Sequence, residues 1–270
     1  MNKRKLFLIC GLLLLSVFVI MSLLPSLISP YGEKDMFTPW LSPSSSHLLG
    51  TNRLGYDVLT EIIHGTGNTL LTGFTASVIS LLIGVLIGSL SAESGLIGHL
   101  CDGITDIMAM LPKLVLLIVL GSFFRGGSLS LIVLISALSW STTARTLRAR
   151  VLSLKQSAFI GNLKIEGFSD FHILVYHVIP NTSDILLSRF ILGINSCIMM
   201  ESTLSFLGFG DTFNPTWGTM VNLAYKNGAF MRQAYAYLLS PGICIMLLSL
   251  SFYFISLYLS GRKEDAEEAL

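Results

Sequence analysis

Residues 3–24 read KRKLFLICGLLLLSVFVIMSLL. Three cations lead into an uncharged run from Leu6 to Leu24. A helix rises about 1.5 Å per residue, so roughly 20 apolar residues cross the hydrocarbon core of a bilayer. A cleaved leader would carry a shorter apolar region, about 7–15 residues, and then a small-x-small cleavage site. No such site follows, so the run reads as a retained first spanning helix.

The rest of the chain has the same character. Of its 270 residues, 52% are hydrophobic and 12% are charged. An ordinary soluble domain carries about 25% charged residues. Mean hydropathy is +0.72. The composition is that of an integral membrane protein. A net charge of +1 provides no basic field for nucleic acid. Cys10, Cys101, Cys197 and Cys244 lie apart, in or beside apolar runs, and read as small core residues rather than a disulfide or zinc framework.

Apolar segments of spanning length recur at about Leu6–Leu24, Thr69–Ala92, Ile104–Phe124, Leu129–Ala144, Ile185–Leu207 and Leu238–Leu259. The expectation is an all-α membrane protein with six transmembrane helices. Ser80, Gly84, Gly88 and Ala92 recur every fourth residue, which puts small side chains on one helix face and lets a neighbour approach. Lys3, Arg4 and Lys5, then Arg145, Arg148, Arg150, Lys155 and Lys164, then Arg262 and Lys263 all fall on one side of a six-span layout. The positive-inside rule makes that side cytoplasmic, and both termini with it. Lys34, Arg53, Arg125, Lys226 and Arg232 fall outside. Residues 25–68 and 208–237 become external segments. Residues 147–184 become a long cytoplasmic loop, and GRKEDAEEAL a short solvated tail.

Chemistry is sparse. No G-x-x-x-x-G-K-[ST] phosphate loop, H-E-x-x-H, G-x-S-x-G or Cys/His zinc pattern occurs in the sequence. Catalysis by this chain alone is therefore not expected, nor a cofactor. Charges inside a membrane are costly and often functional. Asp106, Lys113 and Glu201 are the candidates for a translocation path or gate. Asp102 shares a helix face with Asp106 and reads better as a paired structural group. For Glu201 the structural and functional readings both stand.

The loop contains EGFSDFHILVYHVIPN at 166–181. His172 and His177 are five apart, roughly 140° around a regular helix, so no shared metal ion is expected. Gly167 is a break. Ser169 or Asp170 can cap a short amphipathic helix. Phe171, Ile173, Leu174, Val178 and Ile179 form its apolar surface, and Pro180 is expected to stop it. Such a helix rests on a membrane or docks into a partner's groove.

At this point the sequence resembles a family. GFSDFHILVYHVIPN is similar to the cytoplasmic coupling loop of ABC-importer permeases, written E-A-A-x-x-x-G and ending I-L-P. Gly167 is its glycine and Val178-Ile179-Pro180 its ending, while Gly161-Asn162-Leu163 stand where Glu-Ala-Ala is usual. HLLGTNRLGYDVLTEIIHG at 47–65 resembles H-x-L-G-T-D-x-x-G-R-D-x-x-S-R of the dipeptide/oligopeptide/nickel permease subfamily, C-type subunit. Asn52 replaces its Asp and Tyr56 its Arg. WSTTARTLRARVLSLKQSAFI at 140–160 and ESTLSFLGFGDTFNPTWGTMV at 201–221 resemble two further segments, in the same order.

The resemblance implies a type I ABC-importer permease fold. Residues 1–65 would hold the first helix and an external segment, residues 66–260 the permease domain, and residues 261–270 the tail. The chain would sit in a prokaryotic cell membrane and pair with a second, homologous permease. Two cytoplasmic ATPases would bind ATP and Mg, and an external binding protein would deliver a di- or oligopeptide, or nickel or a metal chelate. Gly167, Ser169, Asp170, Phe171, His172, His177 and Pro180 would couple to the ATPases. The rival classes are an ion-coupled secondary transporter and a structural membrane subunit.

Overall fold

The computed structural model describes residues 3–124 and 126–267. Arg125, counted above among the outer cations, and the last three residues of the tail lie outside the described residues. Among the described residues the chain is mostly helical, with the longest non-helical stretch at 29–57. Its helices are α1 (Lys3–Leu23), α2 (Pro25–Ile28), α3 (Val58–Leu90), α4 (Leu96–Met110), α5 (Lys113–Gly121), α6 (Ser128–Ser139), α7 (Ser141–Lys155), α8 (Ala158–Ile165), α9 (Asp170–Ile173), α10 (Ser183–Leu204), α11 (Trp217–Lys226) and α12 (Tyr235–Glu267).

Four helical segments among the described residues are long and apolar enough to cross a membrane: Lys5–Leu23, Val58–Leu90, Pro180–Phe209 and Tyr235–Leu259. The segment expected as one span over Ile104–Phe124 is broken. Its pieces, α4 and α5, meet at 88°, and count as a fifth span only if taken together. Pro112 is the cause. A proline ring crowds the residue before it out of the α region, and Leu111 sits extended at φ −75°, ψ 137°. Lys113 therefore opens α5 instead of lying within a continuous helix. The expected span Leu129–Ala144 is also divided, at Trp140, between α6 and the start of α7. The 12 residues of α6 reach about 18 Å, short of the hydrocarbon thickness.

α3 and α10 form the centre of the bundle, with α12, α6 and α7 around them and α1 laid on α12. From Leu6 onward α1 is apolar on every side, which suits a helix that faces lipid on most of its surface. It runs antiparallel to α12, with Phe7 against Phe254 and Gly11 close to Ser251. The small-residue stripe on α3 meets α7. A Cβ on Gly88 would sit 2.6 Å from the Ala144 carbonyl oxygen, too near for any side chain. The stripe thus serves packing within the chain, as its spacing implies.

The segments expected as external loops are folded together over one end of the bundle. His47 Nδ1 and Asp57 Oδ2 are 2.9 Å apart, and Asp57 caps α3 by accepting from the Thr60 amide. Asn52 Oδ1 accepts from the amides of Leu54 and Tyr56. Its amide nitrogen donates to Glu61, which an aspartate at this position could not do. Residues 208–237 include a helix of their own, α11. Its Trp217 is fully buried and donates through Nε1 to the Ile62 carbonyl. At the C-terminus, α12 extends through Glu267, so most of the expected tail continues the last helix.

Candidate functional site

The chain between α7 and α10 folds into a compact hairpin at the end opposite this cap. Ile160 and Leu163 from α8, Ile173 from α9 and Val178 beyond it pack against Leu147 and Val151 of α7 and Ala92 just past α3. This apolar seam anchors the hairpin to the bundle. Gly167 makes the turn between α8 and α9 with φ +89°. Space around it is open, so only the backbone angle demands glycine there. Ser169 caps α9, its hydroxyl accepting from the His172 amide at 3.3 Å. Lys164 and Asp170 close the turn with a 2.8 Å ion pair. A hydrogen bond from Lys164 and its positive charge hold the Asp170 carboxyl below the usual carboxylate range, and the same contact raises the Lys164 ammonium.

Two sequence expectations for this hairpin need correction. Pro180 does not stop the helix. Its missing N–H and its ring are accommodated by a change of helix type. Leu174–Val178 is a π-turn in which the Ile179 amide bonds the Leu174 carbonyl, and Pro180–Thr182 is a 3₁₀ turn leading into α10. The wider turn also undoes the 140° separation of the two histidines, which assumed a regular α-helix. Their ring centroids are 5.8 Å apart. His172 stacks on Phe168 at 4.9 Å and lies 4.7 Å from Tyr176. No group of three His, Cys, Asp or Glu that could hold a metal ion is found among the described residues.

The hairpin's outer face is apolar and aromatic. Phe171 is 74% exposed, Ile165 85% and Tyr176 65%, with Phe159 and Phe168 beside them. Of these the sequence reading named only Phe171 as a contact residue. Phe159, Ile165, Phe168 and Tyr176 were missed because amphipathic spacing does not reveal which face of a short helix the bundle covers. Where Glu-Ala-Ala is usual, Gly161 and Asn162 are exposed and Leu163 is buried in the seam.

The three intramembrane candidates are placed separately, with no hydrogen bond or ion pair joining them among the described residues. Asp106 pairs with Arg145 at 2.8 Å, and its neighbour Asp102 with Arg148 at 2.7 Å. These two pairs lace α4 to α7. Lys113 donates to the Thr142 hydroxyl at 3.0 Å and lines a cavity between α3, α5, α6, α7 and α10. Arg189 lines the same cavity and was not singled out from the sequence. Its place about three turns before Glu201 on α10 gives no signal by itself. Glu201 is fully buried near the capped end. It accepts hydroxyl hydrogens from Ser205 and Thr216 at 2.7 Å each and from Ser202 at 3.3 Å. One carboxylate thus ties the end of α10 to the N-cap of α11.

With this geometry in hand, known proteins resemble the chain as follows. Residues 80–265 match the family described as "Binding-protein-dependent transport system inner membrane component". A Brucella suis protein named as a peptide permease is 34% identical over 94% of this chain and 84% of its own length. The dipeptide transport system permease protein of Alkalihalophilus pseudofirmus is 29% identical over 94% of this chain and 84% of its own. The oligopeptide transport system permease protein of Lactococcus lactis subsp. lactis is 30% identical, covering 94% and 88%. Among solved structures, a chain of the MetNI methionine ABC transporter in inward-facing conformations superposes with a TM-score of 0.57 at 16% identity, over 74% of this chain and 97% of that one. At that identity the likeness is one of fold.

Proposed function

This chain belongs to the family of binding-protein-dependent transport system inner membrane components, multi-pass inner-membrane proteins of prokaryotes, and from that premise we propose that it is the permease subunit of an ATP-driven peptide importer. The observation that carries the mechanism is the anchored hairpin with its exposed aromatic face. An apolar surface of this kind, on a polar end of a membrane bundle, calls for a partner. Two ATPases docking on residues 147–184, one on this chain and one on a homologous second permease, supply that partner. Closure of the ATPases pushes on Phe171 and Tyr176. The seam through Leu147, Val151 and Ile160 passes the push to α7 and α3, and the bundle alternates between inward- and outward-facing states. The capped end, held by His47–Asp57 and by Glu201, receives the external binding protein. In this reading α6 and the start of α7 complete the sixth crossing and both termini are cytoplasmic.

Peptide is the substrate class taken from the names of the relatives, over nickel or a metal chelate. The test is reconstitution with the partner permease, ATPases and binding protein in liposomes. Uptake of a radiolabelled dipeptide is expected to require internal binding-site closure by ATP on the ATPases. Uptake that runs on an ion gradient without ATP, or uptake of nickel in place of dipeptide, overturns the proposal.

A further inference from the structure

Resting on the peptide-importer reading, we propose that the cavity between α3, α5, α6, α7 and α10 is a subsite for the free carboxylate of the transported peptide. Its volume is about 110 Å³. On the same measure a single water needs about 10–15 Å³, so the space admits a carboxylate with the carbon that bears it. Lys113 and Arg189 both line it, and so do Ser77, Ser80, Ser139 and Thr142. No Asp or Glu lines it, and neither cation is in an ion pair among the described residues.

Two unneutralised cations sharing one cavity inside a membrane bundle are costly, and such groups mark substrate paths. The hydroxyls retain capacity to donate. Ser77 reaches the Phe190 carbonyl only at 3.5 Å, and Ser139 reaches only the Met200 sulfur, at 3.6 Å. Lys113 is held by a single hydroxyl, Thr142, which leaves donors to spare. The cavity therefore offers two positive charges and several O–H groups with no anion to receive them. A peptide's carboxylate supplies that anion, while its side chains, which vary, lie outside in the wider path. A subsite that grips only the constant end of the substrate is compatible with carrying many sequences.

The test uses the assembled importer in liposomes, with saturating binding protein, and compares uptake of dialanine with that of dialanine amide. The wild type is expected to favour the free acid by about tenfold or more, the usual size of a hydrogen-bonded charge contact. Arg189→Gln and Lys113→Gln are each expected to bring that ratio close to one, by lowering free-acid uptake about tenfold more than amide uptake. Arg189→Lys is expected to recover most of the preference. An unchanged ratio in both Gln variants overturns the subsite. So does an equal fall for acid and amide, which marks a structural role. Loss of the partner permease on purification also overturns it, because the cations then pair with an acid of that subunit. A wild-type complex that carries no dipeptide at all overturns the peptide reading itself, and the subsite with it.

Discussion

Glu201 shows how a single buried residue can be read two ways until its neighbours are known. An acid in a membrane helix suggests ion coupling, but three hydroxyls from α10 and the start of α11 converge on it. These bonds tie the segment after α10 to the start of α11. Replacing it with alanine leaves buried hydroxyls unpaired, each costing about 1–3 kcal/mol. Glu201→Ala is expected to lower the thermal midpoint of the detergent-solubilised protein clearly, followed through the fluorescence of Trp217 nearby. Glu201→Gln keeps an oxygen for Ser205 and Thr216 and is expected to lose less than half as much. Equal losses would count against the hydrogen-bonded role. At Gly167, the positive φ disfavours any side chain by about 1–2 kcal/mol, so Gly167→Ala is expected to loosen the hairpin although nothing stands in the way of the new methyl.

At the scale of elements, the hairpin and the α3–α7 contact are the parts through which the proposed coupling would run. The Lys164–Asp170 pair closes the hairpin turn, and both groups are exposed. The Asp170 carboxyl lies below its ordinary value of 3.8, so its contribution is present above that pH and is lost as pH falls through the lowered value. The Lys164 ammonium lies above its ordinary 10.5, so its contribution is present below that pH and is lost only as pH rises through the raised value. Between those limits the turn is expected to be insensitive to pH. Amide exchange over residues 168–172, corrected for intrinsic rates, should be flat from about pH 5 to 9 and accelerate only in stronger acid or stronger base. Faster exchange near pH 6 would count against the ion pair as what closes the turn. Along α3, Gly88→Ala drives a methyl into the backbone of Ala144. Overpacking of this kind costs about 1–3 kcal/mol, and the thermal midpoint is expected to fall without loss of the helical circular dichroism signal.

For the whole molecule, the outer face of the hairpin is where the chain meets its motor in the proposed complex. Phe171→Asp places a charge on a surface that must shed water to dock. It is expected to abolish binding-protein-stimulated ATP hydrolysis, while the solubilised chain keeps its thermal midpoint because Phe171 is outside the apolar seam. Full stimulation in this variant would remove Phe171 from the contact. Hydropathy alone determined that this chain enters a membrane, because unbroken apolar runs of spanning length have no other solvent. Local chemistry determined the turn at Gly167, the Ser169 cap and the close approach along Gly84 and Gly88, since each depends on a few adjacent residues or one helical repeat. Ordered motifs pointed to the family. What tertiary structure alone decided depends on contacts between distant segments. Pro112 can break a span locally, but the 88° between α4 and α5 goes with different neighbours, α7 and α3 for α4, α6 and α10 for α5. Pro180 failed to break its helix because a π-turn absorbed it. Residues 217–226, within a segment read only as external, became a largely buried helix, since Trp217 finds its partners in Ile62 and Thr69, some 150 residues earlier in the chain. Arg189 met Lys113 in one cavity for the same reason: residues far apart in sequence share a site only once the helices between them have packed.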